Sequence, residues 1–512
     1  MVKKSSSNPP VPDRWAYLWL ALGAALLIFS TGQFRVAFAA WIAPAFLIRF
    51  FRSQNAGKGY WLLLPVLYVA YAISWQAILA FIGPLFVFLI FNIFVTLMNS
   101  LPFLADRLLA PRLKGFAATL VYPLAVTGIF YLYNLVSPFG SFGTPGYEQY
   151  HNLALIQIVS ITGLWGLTFL VSWCGPVIYW AWERSFNWVE VRRGLLAFAV
   201  VVGCVLLFGG LRLSFAQPHA GTVRIHSFSP QIFSLEGHPD MSTDLAGFRR
   251  WSQEWNEALI EGSIREARRG AQIVLWSEMA GEGIEEDINA LIVRARQVAQ
   301  QEGIYLVMGL QIFFPGQERP WENKLVMIDP SGEIVIDHDK FGAIIVYSMS
   351  EDGAAKQGAY TVQTADTPYG TLSGVVCWDA DFPATIRQAG AKKADILLVG
   401  NGDPRGPTAV LHAQQHIFRA IENGFSMVRH DANSGLSVAA DPYGRILASL
   451  DLGTASEWVM VAQVPTQGVF TLYSVIGDLF AWLTLIGFVG IAGWAISSVR
   501  QARSQGADNA QN

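Results

Sequence analysis

Charge is what this sequence has least of. Only 14% of its 512 residues are Asp, Glu, Lys or Arg, against about a quarter in an ordinary soluble domain. That deficit excludes one soluble globule spanning the whole chain. A surplus of either sign is also missing: 35 basic and 38 acidic residues leave a net charge of −3. Nucleic-acid binding usually requires a basic surplus, so no nucleic-acid partner is expected. Cysteine is rarer still, with three residues. Cys174 and Cys204 lie in apolar blocks, where a thiol behaves as a small hydrophobe. Cys377 stands alone in the more polar part, so no disulfide forms within that part. There is no CxxC pair or His-rich tract, so neither a metal nor any other cofactor is expected.

What fills the chain is apolar, 53% hydrophobic with 18 Trp. A bilayer-spanning helix needs roughly 20 mostly apolar residues. Candidate spans lie at about 15–32, 36–50, 60–78, 79–99, 115–136, 152–181, 194–214 and 471–497. The first lacks a small-residue cleavage site and is expected to remain as a span. The chain thus divides into a membrane domain over 1–214, a soluble domain over 220–465 and a last span over 471–497.

Basic residues orient the spans. Lys3, Lys4 and Arg14 precede the first span. Arg49, Arg52 and Lys58 follow the second, Arg107, Arg112 and Lys114 the fourth, Arg184, Arg192 and Arg193 the sixth, and Arg500 and Arg503 the last. The intervening loops carry almost none; "SPFGSFGTPGYEQYHN" has no Lys or Arg. With eight spans every basic cluster falls on one side. Both ends of the chain are then cytoplasmic, and the domain between spans seven and eight is extracytoplasmic.

Within 220–465 strand-like and helix-like runs alternate, the pattern of an α/β layered domain. "GTVRIHSFSP", "AQIVLWSEM", "IYLVMGLQIF", "GTLSGVVCW" and "DILLVGN" read as strands. "ENKLVMIDPSGEIVIDHDK" reads as a hairpin turning at Pro330-Ser331-Gly332. "DLAGFRRWSQEWNEALIEGSIREARRG", "INALIVRARQVAQQEG", "FPATIRQAGAKKA" and "AVLHAQQHIFRAIENG" read as helices, two of them closing at Gly303 and Gly424. "FSMVRHDANSGLSVAADPYGRILAS" reads as two further strands.

Three residues end such runs: Glu278 after "AQIVLWS", Lys340 after "IVIDHD" and Cys377 after "GTLSGVV". Strand ends form the rim where α/β enzymes place their chemistry. Singly, each has an ordinary reading: a solvated loop acid, a surface lysine, a buried thiol. Together they supply what a thiol nucleophile needs. The thiolate is the reactive form; a carboxylate takes its proton, and an ammonium favours the thiolate and stabilises an oxyanion. His412 and His416, one helical turn apart beside Gln415, read as helix surface or pocket wall.

The order Glu278, Lys340, Cys377 resembles the Glu-Lys-Cys triad of the nitrilase, or carbon–nitrogen hydrolase, superfamily. "VLWSE", "DHDK" and "GVVCWDADFP" carry the resemblance, with "LVGNGDP" and "RAIENGFSMVRHDANSGLSVAADPYGR" following. With spans before and after, the whole chain resembles the apolipoprotein N-acyltransferase family. "LALIQIVSITGLWGLTFLVSW" is similar to its sixth span and "LYSVIGDLFAWL" to the entry of its last.

The resemblance implies a polytopic α-helical membrane domain joined to an α/β, αββα-sandwich domain of nitrilase type. It implies a bacterial cytoplasmic (inner) membrane location with the catalytic domain extracytoplasmic, that is, periplasmic. It implies an acyltransferase with a phospholipid acyl donor, a Cys thioester intermediate and a diacylglyceryl-lipoprotein acceptor. Glu278 is then the general base, Lys340 the oxyanion support and Cys377 the nucleophile. The N–H of Trp378 completes an oxyanion hole, and Trp378 and Asp379 stand where the family has an aromatic and an acidic residue.

Departures from the family pattern are local. Ser277 stands where proline usually precedes the glutamate. "FGAIIVYSMSEDG" follows Lys340, with Ser348 at the usual position of a loop glutamate and Glu351 nearby as its substitute. "GNGDPRG" lacks the aromatic usual beside its Asp. The loop over 341–360 is expected to be a mobile lid. These departures keep two other readings open: a membrane-anchored carbon–nitrogen hydrolase (amidase), and an acyltransferase with a different acceptor. A binding protein on the same scaffold is a third; it would not need base, cation and thiol together.

Overall fold

A computed structural model describes residues 13–78, 84–216, 221–229, 239–317, 320–342, 356–403, 406–432 and 435–511. The chain divides into two compact units. The first comprises the N-terminal helices and the C-terminal helix. The second comprises residues 212–477 together with the short segment Asn134–Phe142.

The first unit is built of helices, among them Ala16–Ser30, Ala37–Ser53, Ala56–Trp75, Leu85–Leu109, Val121–Val136, Val159–Glu183, Trp188–Ser214 and Leu479–Gln511. Among the described residues, five helical stretches are long and apolar enough to cross a membrane: Ala56–Ile78, Leu85–Arg112, Gly115–Val136, Val159–Glu183 and Trp188–Ser214. Ala16–Ser30 and Leu479–Ala495 are apolar but shorter. Helices that present Phe86, Ile90, Ile93, Val200 and Leu207 outward lack a polar face for water, which is the mark of a membrane helix. The unit is that of a membrane protein. Arg52 and Asp106 form an ion pair within it. Arg52 Nε and Nη2 donate to the two oxygens of Asp106 at 2.9 and 2.8 Å, so neither charge is stranded in apolar surroundings.

The second unit holds two sheets. Its strands are β1 Thr222–Phe228, β2 Ile273–Trp276, β3 Gly281–Ile284, β4 Tyr305–Phe313, β5 Trp321–Ile328, β6 Ile334–Asp339, β7 Thr364–Thr367, β8 Gly370–Val376, β9 Ile396–Asn401, β10 Ser426–Asp431, β11 Leu436–Ala440, β12 Ile446–Asp451 and β13 Val459–Pro465. The first sheet runs β13-β1-β2-β4-β5-β6, with β3 paired to β4. The second runs β12-β11-β10-β9-β8-β7. The sheets meet through β2, β5, β6 and β13 of the first and β7 to β12 of the second. Helices Leu245–Arg268 and Glu285–Glu302 cover the first sheet. There Leu259, Ile260, Ala295 and Val298 pack on Val274, Trp276, Leu306 and Met308, all buried. Helix Pro407–Asn423 covers the second sheet at β10 and β11. This is the expected α/β sandwich with helices outside and sheets within.

Local chemistry explains several elements. Glu285, Glu286 and Asp287 occupy the first turn of their helix, where acids suit the helix dipole. Gly303 and Gly424 close two helices in the left-handed conformation, as their positions predict. Asp329 Oδ1 accepts from the Ser331 and Glu333 amides and fixes the β5–β6 hairpin. The stretch expected to give two strands gives three, because the turn at Asp441–Arg445 folds the chain back once more, with Asp441 Oδ1 accepting the Tyr443 and Arg445 amides. Strand β13 pairs antiparallel with β1, Thr222 opposite Pro465. Both ends of the domain therefore leave from one sheet edge.

Candidate active site

Glu278, Lys340 and Cys377 come together at the ends of their strands, and each is buried. Glu278 follows β2; its amide donates to Asn401 O at 3.3 Å, tying it to the end of β9. Lys340 follows β6, and its Nζ donates to Glu278 Oε1 at 2.5 Å. Asn323, on β5, donates Nδ2 to the same oxygen at 2.7 Å. The carboxylate is therefore oriented from two strands at once.

Cys377 follows β8 at φ +49°, and Met279, next to Glu278, has φ +52°. Non-glycine residues seldom adopt this region, and such strain gathers at active sites. The turn is held by Asp379. Its Oδ1 accepts the Phe341 and Gly342 amides at 3.0 and 2.6 Å, and its Oδ2 accepts the Val376 amide at 3.1 Å. His338 Nε2 lies 2.8 Å from Oδ2. Asp379, expected from the resemblance at a substrate-binding position, has its carboxylate engaged with the backbone around Lys340 and Cys377.

Burial pushes the Cys377 thiol well above its ordinary value, and the Glu278 carboxylate adds to that. Lys340 and Arg429 pull it back, while Asp403 raises it. At rest this is a thiol, and Glu278 and Lys340 both act on it electrostatically, in opposite directions. The arrangement suits nucleophilic attack with proton transfer to a carboxylate.

Trp378 is nearly buried. Its ring lies 5.4 Å from Phe139, 4.8 Å from Phe142 and 4.6 Å from His412. Phe139 and Phe142 belong to the segment that the sequence presents as a bare connector between spans. Ser141 N and Oγ both donate to Asp381 O at 2.8 Å, clamping that segment on the turn after Cys377.

His412 and His416 are not helix surface. Both are fully buried, and both face Asp381. His412 also faces Asp403, which pairs with Arg429. The sequence offered one signal for this, the i, i+4 spacing of two histidines, but their acidic partners lie in separate turns. The donor sets Cys377/Asp403/His412 and Asp381/His412/His416 are each compact enough to hold a metal ion; in the structure the histidines hydrogen-bond to Asp381 and Asp403. Glu351 and Ser348 lie outside the described residues, as does most of the expected lid.

The same residues match known families. Residues 241–470 match the carbon-nitrogen hydrolase model, and residues 23–177 match the model of the apolipoprotein N-acyltransferase N-terminal domain. The chain belongs to the apolipoprotein N-acyltransferase family. It is 24% identical over 414 residues to the apolipoprotein N-acyltransferase of Geobacter metallireducens, covering 75% of each chain. To that of Rickettsia typhi it is 22% identical, covering 69% of this chain and 71% of the relative. To that of Brucella melitensis it is 30% identical over 217 residues, 38% of this chain and 40% of the relative. Among solved structures, an amidase from Nesterenkonia sp. superposes with a TM-score of 0.40 at 22% identity, covering 50% of this chain and 94% of the amidase. As a member of this family the protein is a membrane-associated enzyme with a nitrilase-type domain.

Proposed function

We propose that this protein transfers an acyl chain from a phospholipid to the α-amino group of an N-terminal diacylglyceryl-cysteine on lipoproteins. Glu278 takes the Cys377 proton, and the thiolate attacks the ester carbonyl of the phospholipid. Lys340 and the Trp378 N–H hold the oxyanion. Collapse breaks the ester C–O bond; Glu278 returns its proton to the leaving oxygen, and lysophospholipid departs. A thioester on Cys377 remains. The neutral acceptor amine attacks that thioester and passes a proton to Glu278. Collapse then expels Cys377, which regains the proton, and leaves an amide.

The observation that carries this reading is the fully buried Lys340–Glu278 pair acting on the Cys377 thiol, in a chain whose other unit is a bundle of apolar helices. A lipid donor suits a membrane enzyme, and the five basic clusters support a cytoplasmic-membrane location with this domain outside. The test is incubation with a phospholipid tagged on its acyl chain. A hydroxylamine-labile adduct on Cys377, absent in Cys377→Ser and discharged by a diacylglyceryl-cysteine peptide, is expected. Ammonia release from small amides without any lipid adduct would replace this reading with a membrane-anchored amidase.

A further inference from the structure

The mechanism uses Glu278, Lys340 and Cys377 and leaves the buried histidine cluster unassigned. His412 lies on helix Pro407–Asn423, fully buried. Its Nδ1 stands 2.8 and 3.0 Å from the two oxygens of Asp403, and its Nε2 stands 2.5 Å from Asp381 Oδ2. A neutral imidazole carries one N–H and donates in one direction only. With an acceptor on each side, the ring satisfies both carboxylates only as imidazolium.

Its surroundings leave the proton no better place. Asp403 also receives the Arg429 guanidinium and is held ionised. Asp381 faces His416 Nε2 at 3.2 Å as well. Burial and the neighbouring His412 hold His416 down to about 3, so the second ring is neutral. Burial alone would lower His412, but Asp403 and Asp381 outweigh it and bring the ring to about 9. The remaining neighbours, Trp378 and Phe142, are aromatic and uncharged.

The position relative to the nucleophile gives the cluster its meaning. Cys377 Sγ and donor atoms of Asp403 and His412 all lie within 4.8 Å of one another. Glu278 and Lys340 cancel each other's charge. Beyond that pair, the Asp403 carboxylate confronts the forming thiolate and Arg429 pulls against it.

We infer that His412 is a positioning residue for the nucleophile: clamped as an imidazolium between Asp381 and Asp403, it neutralises carboxylate charge beside Cys377 and so favours the thiolate. This rests on reading Cys377 as the nucleophile, and the test separates the two.

The full-length protein in detergent is treated with iodoacetamide across pH 6 to pH 10, and carboxamidomethylation of Cys377 is followed by peptide mass spectrometry. His412→Gln keeps a hydrogen-bonding side chain without the charge; His412→Lys restores a cation. The Gln variant is expected to shift the alkylation profile to higher pH and to slow labelling near neutrality about tenfold, one unit of thiol pKa. The Lys variant is expected to recover most of that loss. Superimposable profiles for wild type and His412→Gln overturn the inference, as does equal slowing by Gln and Lys. Wild-type Cys377 that stays unmodified at every pH overturns the nucleophile reading itself. A measurement on the unaltered protein guards against misfolded variants: ring-carbon NMR of labelled histidine is expected to contain one ring still protonated at pH 8. Rings that are all neutral there overturn the inference, and so does one equivalent of tightly held metal that is lost in His412→Gln.

Discussion

Lys340 Nζ stands 2.5 Å from Glu278 Oε1, with both side chains fully buried. Neither charge is tolerable there without the other. Lys340→Met therefore has two consequences. It leaves the Glu278 carboxylate buried beside the thiol it is proposed to deprotonate, and it removes the cation proposed for the oxyanion. Acyl transfer is expected to fall about a hundredfold to a thousandfold in kcat, with a loss of roughly 3 kcal/mol in stability. Thermal melting read beside the transfer assay separates the two; a variant with wild-type kcat sinks the oxyanion role.

Cys377→Ser and Glu278→Gln divide the reaction differently. The serine variant lacks the thioester altogether. The glutamine variant keeps the thiol and the size of the base but accepts no proton, so the first half-reaction slows sharply. Both are expected to fail in rescuing a bacterium depleted of its own N-acyltransferase while still accumulating in the membrane. Rescue by Glu278→Gln would remove Glu278 from the mechanism.

Gly140 tests the clamp on the turn after Cys377. Its φ is +55°, and an added Cβ would stand 2.2 Å from the Asp381 carbonyl oxygen. That oxygen already receives both Ser141 donors. Gly140→Ala must either displace the segment or move the turn that carries Cys377, Trp378 and Asp381. A loss of roughly 1–3 kcal/mol is expected, with transfer activity falling further than melting temperature alone accounts for. Gly115→Ala is the control: it also has positive φ, +67°, but nothing within 4 Å of the new methyl group.

The meeting of Glu278, Lys340 and Cys377 was legible because each follows a strand, a pattern visible in one dimension. The helices closing at Gly303 and Gly424 were legible for a similar local reason. The histidine cluster was not. Helix Pro407–Asn423 carries His412 and His416, which read as helix surface or pocket wall, and further on Arg419 and Glu422; all four are buried. Arg419 and Glu422 pair within the helix, but His412 and His416 are matched by acids in two separate turns. Burial of polar groups depends on distant partners, which periodicity cannot reveal. Strand β3, "GEGI", has a single β-forming residue, Ile284, and exists through its pairing with β4. The segment 134–142 carries no pattern at all; its place follows from Phe139 and Phe142 packing on Trp378.

Glu148 provides a pH test of the first unit. It lies between two helices in sequence and is buried. Its Oε1 accepts from Thr31 Oγ1 at 3.0 Å. Burial raises its carboxyl to about 8, against the lowering pull of Thr31, Arg35 and the Gly32 amide. The sign is opposite to that of a carboxylate held by a strong cation. The folded protein keeps a proton that the unfolded chain releases above about 4.5. Its stability is therefore intact at low pH, erodes as pH rises from about 4.5 to about 8, and levels off beyond that. Glu148→Gln fixes the side chain in the neutral form. In detergent, the wild-type melting temperature is expected to fall across this window relative to the variant, with the two similar near pH 5 and the variant higher at pH 8.5. Parallel curves across the range would mean that Glu148 is ionised in the folded state, with Arg35 rather than a proton balancing it.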